Sequence, residues 1–551
     1  MLKHRRALSL SALLALAPLA AADTLHVDAN LASGANDGSS WADAFQGTLG
    51  LQSALAAAVA GDQVFVADGT YKATDTGSRT VSFALENGVE VYGSFLGGET
   101  TPSERPPFGT APSVLEGDLA GDDGLAQFGD NTFHLVTTVG TDATAVLDGF
   151  VVRGGAATAA GGNNDKGAGI LCLGAVGPTI RNCNFRDNRC TFGGAAGYIN
   201  NGGFPTFTDC SFEDGVGGSF GGAFDIASGG NVRFERCLFT GNTAARAGAL
   251  EIFNSTGPVV SNCVFVGNTA TGNGGGGGVW LGSGGNPRVS NCTIVGNSST
   301  TQAVGGIRVQ NAAGATVANC VIWDNAGPAG AQGADNQVNS AADVTWSIVE
   351  GGFAGTGNLA LDPLLANIAG GDVSPTAASP GIDAGSNADV EPGSTLDFAQ
   401  HPRFADVLAT ADTGAGAAPI VDIGALEFES AWLDLGQALA GTSGEPSLVL
   451  EGPLTGNSLV EVSVAQALAG ALAFNVVGLS ELSAPFKGGV LVPDVDFLLP
   501  SLVDPVGSFS LSFLWPVGVP GGVGIWWQAW IMDPLAVKGF AASNAVKGTT
   551  P

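Results

Sequence analysis

The sequence has few basic residues: 20 Lys and Arg stand against 50 Asp and Glu in 551 residues, which gives a formal net charge of -30. A chain this acidic repels phosphate groups, so nucleic acid and anionic membranes are poor partners. Histidine is sparse as well, and His4, His26, His134 and His401 are far apart in the chain. This spacing gives no support to a zinc site or a catalytic triad.

Long apolar runs are also lacking, because no run beyond the N-terminus reaches the ~18 residues that span a bilayer. The N-terminus itself carries Lys3, Arg5 and Arg6, then an apolar stretch over residues 7–19, then three alanines ending at Ala22. This pattern predicts a signal peptide over residues 1–22. We therefore expect a secreted or cell-surface protein that is monomeric and has no transmembrane segment in the mature chain.

What the sequence does have is a repeat. Near-copies of one phrase, such as NCNFRDN and NCVFVGN, recur at intervals of 27, 27, 26, 29 and 28 residues. Each copy contains one cysteine, and the six are Cys183, Cys210, Cys237, Cys263, Cys292 and Cys320. A period of this length indicates a solenoid of short stacked coils.

Stacked coils place equivalent side chains ~4.8 Å apart, which is too far for the ~3.8 Å Cβ separation of a relaxed disulfide. The six cysteines are therefore predicted to form an inward ladder of free thiols. Cys172 and Cys190 lie outside the ladder register, and the sequence leaves open whether they pair.

Columns of equivalent residues predict how each coil is built. The residue three before the ladder cysteine and the residue two after it are apolar in every coil, as in Phe207 and Phe212, so both face inward. Their odd separation requires a bend between two short strands. Five residues after the cysteine, five of the six coils have asparagine, which tolerates a left-handed corner and can stack its amides.

A third short strand follows a pair of glycines in each coil, as in Gly222-Ala223-Phe224-Asp225-Ile226. Three strands and about 27 residues per coil predict an all-β fold, a right-handed parallel β-helix. The third strand is expected to expose one residue per coil. These residues form what we call the outward column: Leu171, Tyr198, Asp225, Glu251, Trp280 and Arg308.

The repeats between Asp148 and Asn325 resemble a known family. Phe185-Arg-Asp-Asn188 and Phe239-Thr-Gly-Asn242, alternating with Gly-Gly-Ala stretches, look like the FxxN and GGA repeats of polymorphic outer-membrane proteins. The flanking segments are similar to a broader group of exported bacterial β-helix repeat proteins, in motifs that include Ser379-Pro-Gly-Ile-Asp383-Ala-Gly385, Pro402-Arg403 and Asp422-Ile-Gly-Ala425. The resemblance implies a β-helical adhesin at the cell surface.

The ends of the solenoid need caps. Residues 23–130 are predicted to form an N-terminal cap and the first coils, with an amphipathic helix over residues 51–59. Residues 131–428 are predicted to form the β-helix and a closing segment. Residues 430–551 hold five of the nine tryptophans and no cysteine, which predicts a β-sandwich for sorting or adhesion. Its Trp526, Trp527 and Trp530 fit a sandwich core better than a sugar-stacking surface.

The outward column is the main candidate site. Asp225 and Glu251 would lie ~5 Å apart on adjacent coils, the separation of the acid and the nucleophile in retaining glycosidases. Tyr198 and Trp280 could stack on sugar rings, and Arg308 could bind an acidic sugar. The alternative is a solvated strand face without function. A polysaccharide lyase would need a base, for which only Arg233, Arg236 and Arg246 are near in register.

Asp118, Asp122 and Asp123 place three carboxylates in six residues between glycines, so they are candidate ligands for calcium, with an acidic solvated turn as the alternative. Taken together, the sequence favours an adhesin-like protein that binds extracellular polysaccharide or another cell-surface component. A polysaccharide lyase or glycoside hydrolase, and a purely structural protein, remain alternatives.

Overall fold

The computed structural model describes residues 22–138, 140–174, 177–302, 304–311, 314–328, 333–339, 342–407, 410–428 and 431–550. The predicted signal peptide lies outside these residues except for Ala22. The described chain forms two compact units. The first runs up to Arg288 and includes Asn297–Ala315 and Asn325–Ala342; the second contains Val289–Gly296, Thr316–Asp324 and the chain from Asp343.

The first unit is built from three parallel sheets whose strands recur once per coil. Sheet 1 has the spatial order Phe45–Gln46, Thr24–Asp28, Gln63–Ala67, Glu90–Phe95, Val146–Asp148, Thr179–Arg181, Thr206–Thr208, Arg233–Glu235 and Val259–Ser261. Sheet 2 contains Gly69–Lys72, Ser113–Glu116, Phe150–Arg153, Asn184–Arg186, Ser211–Glu213, Leu238–Thr240 and Val264–Val266. Sheet 3 contains Phe83–Ala84, Val136–Thr137, Ile170–Leu173, Gly197–Asn200, Phe224–Ile226, Leu250–Ile252, Val279–Leu281 and Ile307–Val309. This is the predicted all-β, right-handed parallel β-helix.

Short strands at the corner before sheet 3 add a ribbon outside the three sheets. Ala156–Ala157 pairs with Arg189–Cys190, and Thr243–Arg246, Thr269–Gly275 and Ser298–Ser299 form a three-stranded sheet. Among the described residues, this unit has α1 (Gly50–Ala57), α2 (Ala334–Gln337) and the 3-10 turns Trp41–Asp43, Pro102–Glu104 and Asp123–Leu125. Helix α1 buries Leu51 and Ala54 near the first strands, as predicted for a cap. Across the described residues, no helix has the length and apolarity required to cross a bilayer.

The bend between sheets 1 and 2 lies at the residue before the ladder cysteine. Asn182, Asp209 and Arg236 all have φ between 51° and 54°, the left-handed conformation that turns the chain sharply. The second corner lies at Asp187 and at its equivalents in the other coils, one residue before the asparagine that stands five residues after the ladder cysteine. The prediction that the asparagine itself adopts the left-handed conformation is therefore wrong.

Those asparagines form a buried amide ladder instead. The side chain of Asn242 donates from Nδ2 to Oδ1 of Asn268 at 2.9 Å, and Asn268 donates in the same way to Asn297 at 2.9 Å. Asn297 continues to Asn325 at 3.0 Å, and Asn325 donates to Oε1 of Gln337 at 2.7 Å. The predicted stacking of amides is confirmed, and it ends on a glutamine of α2.

The core of the coils is a set of stacked rings and thiols. The rings of Phe207 and Phe234 are 5.0 Å apart and nearly parallel, and those of Phe239 and Phe265 are 4.4 Å apart. The eight cysteines all lie in the described part of the chain, where each is buried and none forms a disulfide, including Cys172 and Cys190. The ladder Cys183, Cys210, Cys237, Cys263, Cys292 and Cys320 is thus made of inward-facing thiols, as predicted.

The second unit contains further parallel strands followed by the closing segment. Thr316–Ala318 pairs with Asp343–Thr345, and Thr293–Val295, Val321–Trp323 and Ile348–Val349 lie side by side. The strand Arg288–Ser290 starts at the end of the first unit. The closing segment has an antiparallel pair, Leu365–Asn367 and Asp372–Pro375, and the 3-10 turns Ile368–Gly370 and Asn387–Asp389.

The C-terminal region folds into antiparallel sheets that bury a common core. One sheet has the order Trp432–Gly436, Phe540–Thr549, Gly524–Met532, Leu472–Gly478 and Phe497–Leu502, a second has Ser447–Glu451, Leu459–Ala465 and Phe509–Leu514, and Glu481–Phe486 pairs with Gly489–Pro493; a 3-10 turn covers Val537–Gly539. Trp527 packs in the core between the first two sheets, and Trp530 packs on the opposite face. The predicted sandwich, with tryptophan in its core, is confirmed.

Candidate functional site

The outward column is in register but is not exposed. Tyr198 pairs with Asp225, Asp225 with Glu251, and Glu251 with Trp280, so the predicted stacking of these residues on adjacent coils is confirmed. Asp225 is 2% exposed and Glu251 is 1% exposed. The prediction that the third strand presents this column to solvent is wrong, and only Arg308 is half-buried.

The corner before sheet 3 covers the column. The guanidinium of Arg246 binds both carboxylate oxygens of Glu251, with 3.0 Å between Nε and Oε2, and it lies between the rings of Phe220 and Trp280 at 4.3 and 4.2 Å from their centroids. Arg246, which the sequence offered as a lyase base, is thus occupied by an ion pair.

Glycine makes this cover possible. A Cβ atom built on Gly193 would lie 2.2 Å from Oδ2 of Asp225, and one built on Gly167 would lie 2.9 Å from Cβ of Tyr198. Both glycines belong to the coil before the residue they cover. The glycine pairs therefore let one coil fold directly over the outward side chain of the next.

Burial controls the electrostatics of the two acids. Burial and then the neighbouring carboxyl group of Glu251 raise the pKa of Asp225 to about 8, although Arg246 and Lys166 lower it. Burial also raises the pKa of Glu251, against the hydrogen bonds from Arg246. Asp225 therefore holds a proton at neutral pH, next to the bidentate contact between Glu251 and Arg246. A glycosidase acid and nucleophile must both reach the substrate, and these covered carboxyl groups do not provide that access.

The solvent side of the cover is a cleft of about 410 Å³ lined by Phe220, Arg246, Asn273, Gln310 and their neighbours. Tyr198 and Trp280, predicted to stack on sugars, lie beneath this cover and are 4% and 2% exposed. Arg308 donates to Oε1 of Gln302 at 3.3 Å.

A second cleft, which we call the acidic cleft, is lined by two of the three predicted calcium ligands, Asp118 and Asp123. It encloses about 420 Å³ and is lined by Glu116, Asp118, Asp123, Gly124, Phe128, Arg153, Gly154, Asp187 and Arg189. Adjacent strands of sheet 2 bring Glu116 and Arg153 into register, and Nε of Arg153 lies 2.8 Å from Oε2 of Glu116. The guanidinium of Arg189 covers the ring of Phe128, 3.3 Å from its centroid.

The three aspartates of the loop have different environments. Burial raises the pKa of Asp118, but backbone N–H groups of Asp123, Gly121 and Asp122 outweigh it, so the pKa is lowered overall. Burial and nearby carboxylates raise the pKa of Asp122 and of Asp123. The Nδ2 atom of Asn131 donates to both oxygens of Asp123, at 3.0 and 2.9 Å. Acids with opposite shifts in one cleft are typical of functional sites.

The loop also fits a hard divalent cation. One carboxylate oxygen from each of Asp118, Asp122 and Asp123 lies within 4.8 Å of the others. Oδ1 of Asp122 is buried without a hydrogen-bond partner, so it remains free to bind an ion. Calcium prefers such carboxylate oxygens.

The sequence analysis predicted Asp118 and Asp123 of this cleft but missed Glu116, Arg153, Asp187 and Arg189. Glu116, Arg153 and Arg186 occupy equivalent positions on three consecutive coils of sheet 2. Aligning the earliest coils, which lack the ladder cysteine, would have shown this charged row. Arg233 and Arg236, the other residues considered as a lyase base, lie outside the cleft, and Arg236 is paired with Asp209 at 2.8 Å.

Comparison with a protein-family model agrees with the fold. A family model described as a right-handed β-helix region matches residues 168–345. The crystal structure of pectate lyase Pel9A is similar at 17% sequence identity and a TM-score of 0.42, over 75% of this chain and 98% of that chain. No curated protein matches. The chain is a β-helix repeat protein, and a structural likeness this distant carries no argument about a substrate.

Proposed function

We propose that the protein is exported and binds a polysaccharide outside the cell or at its surface through the acidic cleft. The observation that carries the proposal is the set of four carboxylates and two guanidinium groups around one cleft of about 420 Å³. Carboxylates accept and guanidinium groups donate hydrogen bonds, so together they match the paired hydroxyls of a sugar. Export is supported by the sequence pattern of residues 1–22.

Charge balance favours binding of a ligand in this cleft. Arg153 is paired with Glu116. Burial lowers the pKa of Arg189, although the nearby carboxylates of Asp123 and Asp187 raise it. A calcium ion on Asp118, Asp122 and Asp123 would add positive charge and favour an acidic polysaccharide. The C-terminal sandwich then serves in sorting or adhesion.

The test measures retention of the purified full chain in gels that contain neutral or acidic polysaccharides, with calcium and with a chelator. We expect Arg189→Gln and Asp187→Asn to weaken retention about tenfold, since each hydrogen bond to a charged group contributes about 1.5–3 kcal/mol. The matched control is Asp214→Asn, the equivalent exposed aspartate one coil further on, outside the cleft. Equal retention of all variants would refute the site.

A second candidate is a polysaccharide lyase, because Arg189 lines the acidic cleft, where burial lowers its pKa and so improves it as a base. Incubation of the same glycans, followed by ultraviolet detection of unsaturated sugar products, separates the two functions. Product formation that Arg189→Lys abolishes identifies a lyase. Binding without product identifies an adhesin-like protein. If neither binding nor product is detected, the coils have a purely structural role.

A further inference from the structure

The closing segment of the second unit contains a buried polar network. It includes residues from the motifs at residues 379–385, 402–403 and 422–425. Arg403 is fully buried, donates to the carbonyl oxygens of Ala425, Asp422 and Gly424, and lies 3.1 Å from Oε1 of Glu427. Three hydrogen bonds and an ion pair therefore hold the guanidinium within this network.

Asp383, from the motif at residues 379–385, is different. Its side chain is 0% exposed, and neither Oδ1 nor Oδ2 has a hydrogen-bond partner. The backbone N–H of Asp383 donates to Oδ1 of Asp422 at 2.8 Å. This hydrogen bond holds the backbone in place but does not involve the side-chain carboxylate of Asp383. A buried charged group without a partner is costly, so such a group calls for a ligand.

Two more carboxylates face it. One oxygen from each of Asp383, Asp406 and Asp412 lies within 4.8 Å of the others. The N–H groups of Thr413 and Gly414 donate to the carbonyl oxygen of Asp383 at 2.9 and 3.1 Å, and this holds the chain at Asp412 beside it. Over the described residues, no Lys, Arg or His forms an ion pair with these three carboxylates.

We propose that Asp383, Asp406 and Asp412 bind a calcium ion that fastens the closing segment. Calcium binds 6–8 oxygens at about 2.4 Å, so two of its ligands lie at most about 4.8 Å apart, the limit that these oxygens meet. Magnesium binds at about 2.1 Å in a stricter octahedral geometry and usually keeps several of its waters. Asp406 and Asp412 are exposed, which gives the ion a path to Asp383.

The protonation of Asp383 agrees with this assignment. Burial, then the carboxylates of Asp422, Asp406 and Asp412, raise its pKa to about 7, and the nearby N–H of Val407 lowers it without forming a hydrogen bond. Without a cation, the carboxyl group is thus partly protonated near neutral pH. An ion replaces the proton and removes the repulsion among the three acids.

The experiment uses the full chain, stripped with a chelator and then titrated with calcium chloride, and records heat of binding and the melting temperature. We expect calcium to raise the melting temperature of the wild type, since an ion that binds only the folded state stabilises it. Asp406→Asn and Asp412→Asn should each weaken calcium binding by at least about tenfold and remove most of this rise. Asp372→Asn, an exposed aspartate in the same segment, is the charge-matched control.

The acidic cleft can also bind calcium, so each variant is repeated in an Asp122→Asn, Asp123→Asn background. The rise assigned to the closing segment should survive in that background. Asp383→Asn provides an independent test. In chelator its melting temperature should be higher than that of the wild type, because an unpartnered buried carboxyl group is removed. Calcium should not raise the melting temperature of this variant.

The proposal is overturned if calcium leaves the wild-type melting temperature unchanged, or if Asp406→Asn and Asp412→Asn respond to calcium as the control does. A lower melting temperature of Asp383→Asn in both chelator and calcium would also overturn it, since that result assigns the carboxyl group to the fold alone. Magnesium chloride in place of calcium chloride should produce a smaller rise at equal concentration.

Discussion

Arg246 binds Glu251 through both of its carboxylate oxygens, on the coil where the chain folds back over the outward column. The carboxylate is 1% exposed and the guanidinium side chain 27% exposed. This pair covers the outward column, which the sequence analysis predicted to be exposed. The cover was not predicted because Arg246 comes from the corner segment and not from the third strand. The ion pair therefore acts as a lid on the two acids beneath it.

Removing Arg246 should destabilise the protein. We expect Arg246→Met to cost about 3 kcal/mol of unfolding free energy, because it leaves Glu251 as a buried charge without its partner. Urea denaturation provides the measurement. The double variant Arg246→Met, Glu251→Leu should recover most of the loss, and a double variant as unstable as the single one would contradict the pairing.

Stability should depend on the proton of Asp225. Its folded pKa is raised to about 8 from a usual value near 3.8, so only the folded state binds this proton between those pH values. The contribution to stability is full below pH 4 and is lost as pH rises through 8. Asp225→Asn should therefore gain stability relative to wild type between pH 5 and pH 8.

The measurement for Asp225 is the urea midpoint at several pH values. Asp214→Asn, an exposed aspartate on the same coil repeat, is the control and should keep the wild-type slope. A constant difference between Asp225→Asn and wild type across this range would show that Asp225 titrates normally.

The asparagine ladder should be intolerant of substitution. Asn268 donates to the carbonyl oxygen of Phe239 and to Asn297, and its Oδ1 accepts from the backbone and side chain of Asn242. Asn268→Ala leaves these buried groups without partners, and we expect a loss of about 3 kcal/mol. Asn268→Asp should be at least as harmful, because a carboxylate cannot donate to Asn297. Asn273→Ala, in the solvent-facing cleft, should change the melting temperature little.

The thiols should be inert in the folded protein. Burial raises the pKa of Cys172, Cys183 and Cys190 to about 12, so almost no thiolate is present at pH 8. All eight thiols are buried, so a thiol reagent should detect no cysteine in the native chain and eight after denaturation without reductant. Six thiols after denaturation would mean that Cys172 and Cys190 are joined.

The sequence was sufficient for the coil and insufficient for its surface. Phe207, Phe212 and the ladder cysteines repeat with one period, so their inward positions follow from side-chain alternation alone. Alternation also predicts correctly that Asp225 points away from this core. It cannot predict that a corner segment lies on the other side, because this depends on the path of Arg246 and Phe220.

The corner next to the asparagine ladder is another feature that the sequence predicts only in part. Propensity alone allows a left-handed conformation at either of two neighbouring positions, and the chain places it at Asp187, leaving Asn188 to donate to the carbonyl oxygen of Val152 at 2.9 Å. The acidic cleft and the carboxylates around Asp383 depend on segments far apart in sequence. Asp383 belongs to the motif at residues 379–385, but no motif described above includes Asp406 or Asp412, so the proximity of the three carboxylates was not predicted.

The glycines at the corner have a consequence for how such a protein can lengthen. Gly193 belongs to one coil and receives Asp225 of the next, and Gly167 receives Tyr198 in the same way. Duplication of a single coil in the gene keeps this fit only under two conditions. The new coil must have a glycine that packs over the outward side chain of the next coil, and its own outward side chain must fit beneath the glycine of the previous coil. Growth by whole repeat units preserves the fit, whereas insertion of a partial unit sets a Cβ atom against a carboxyl group.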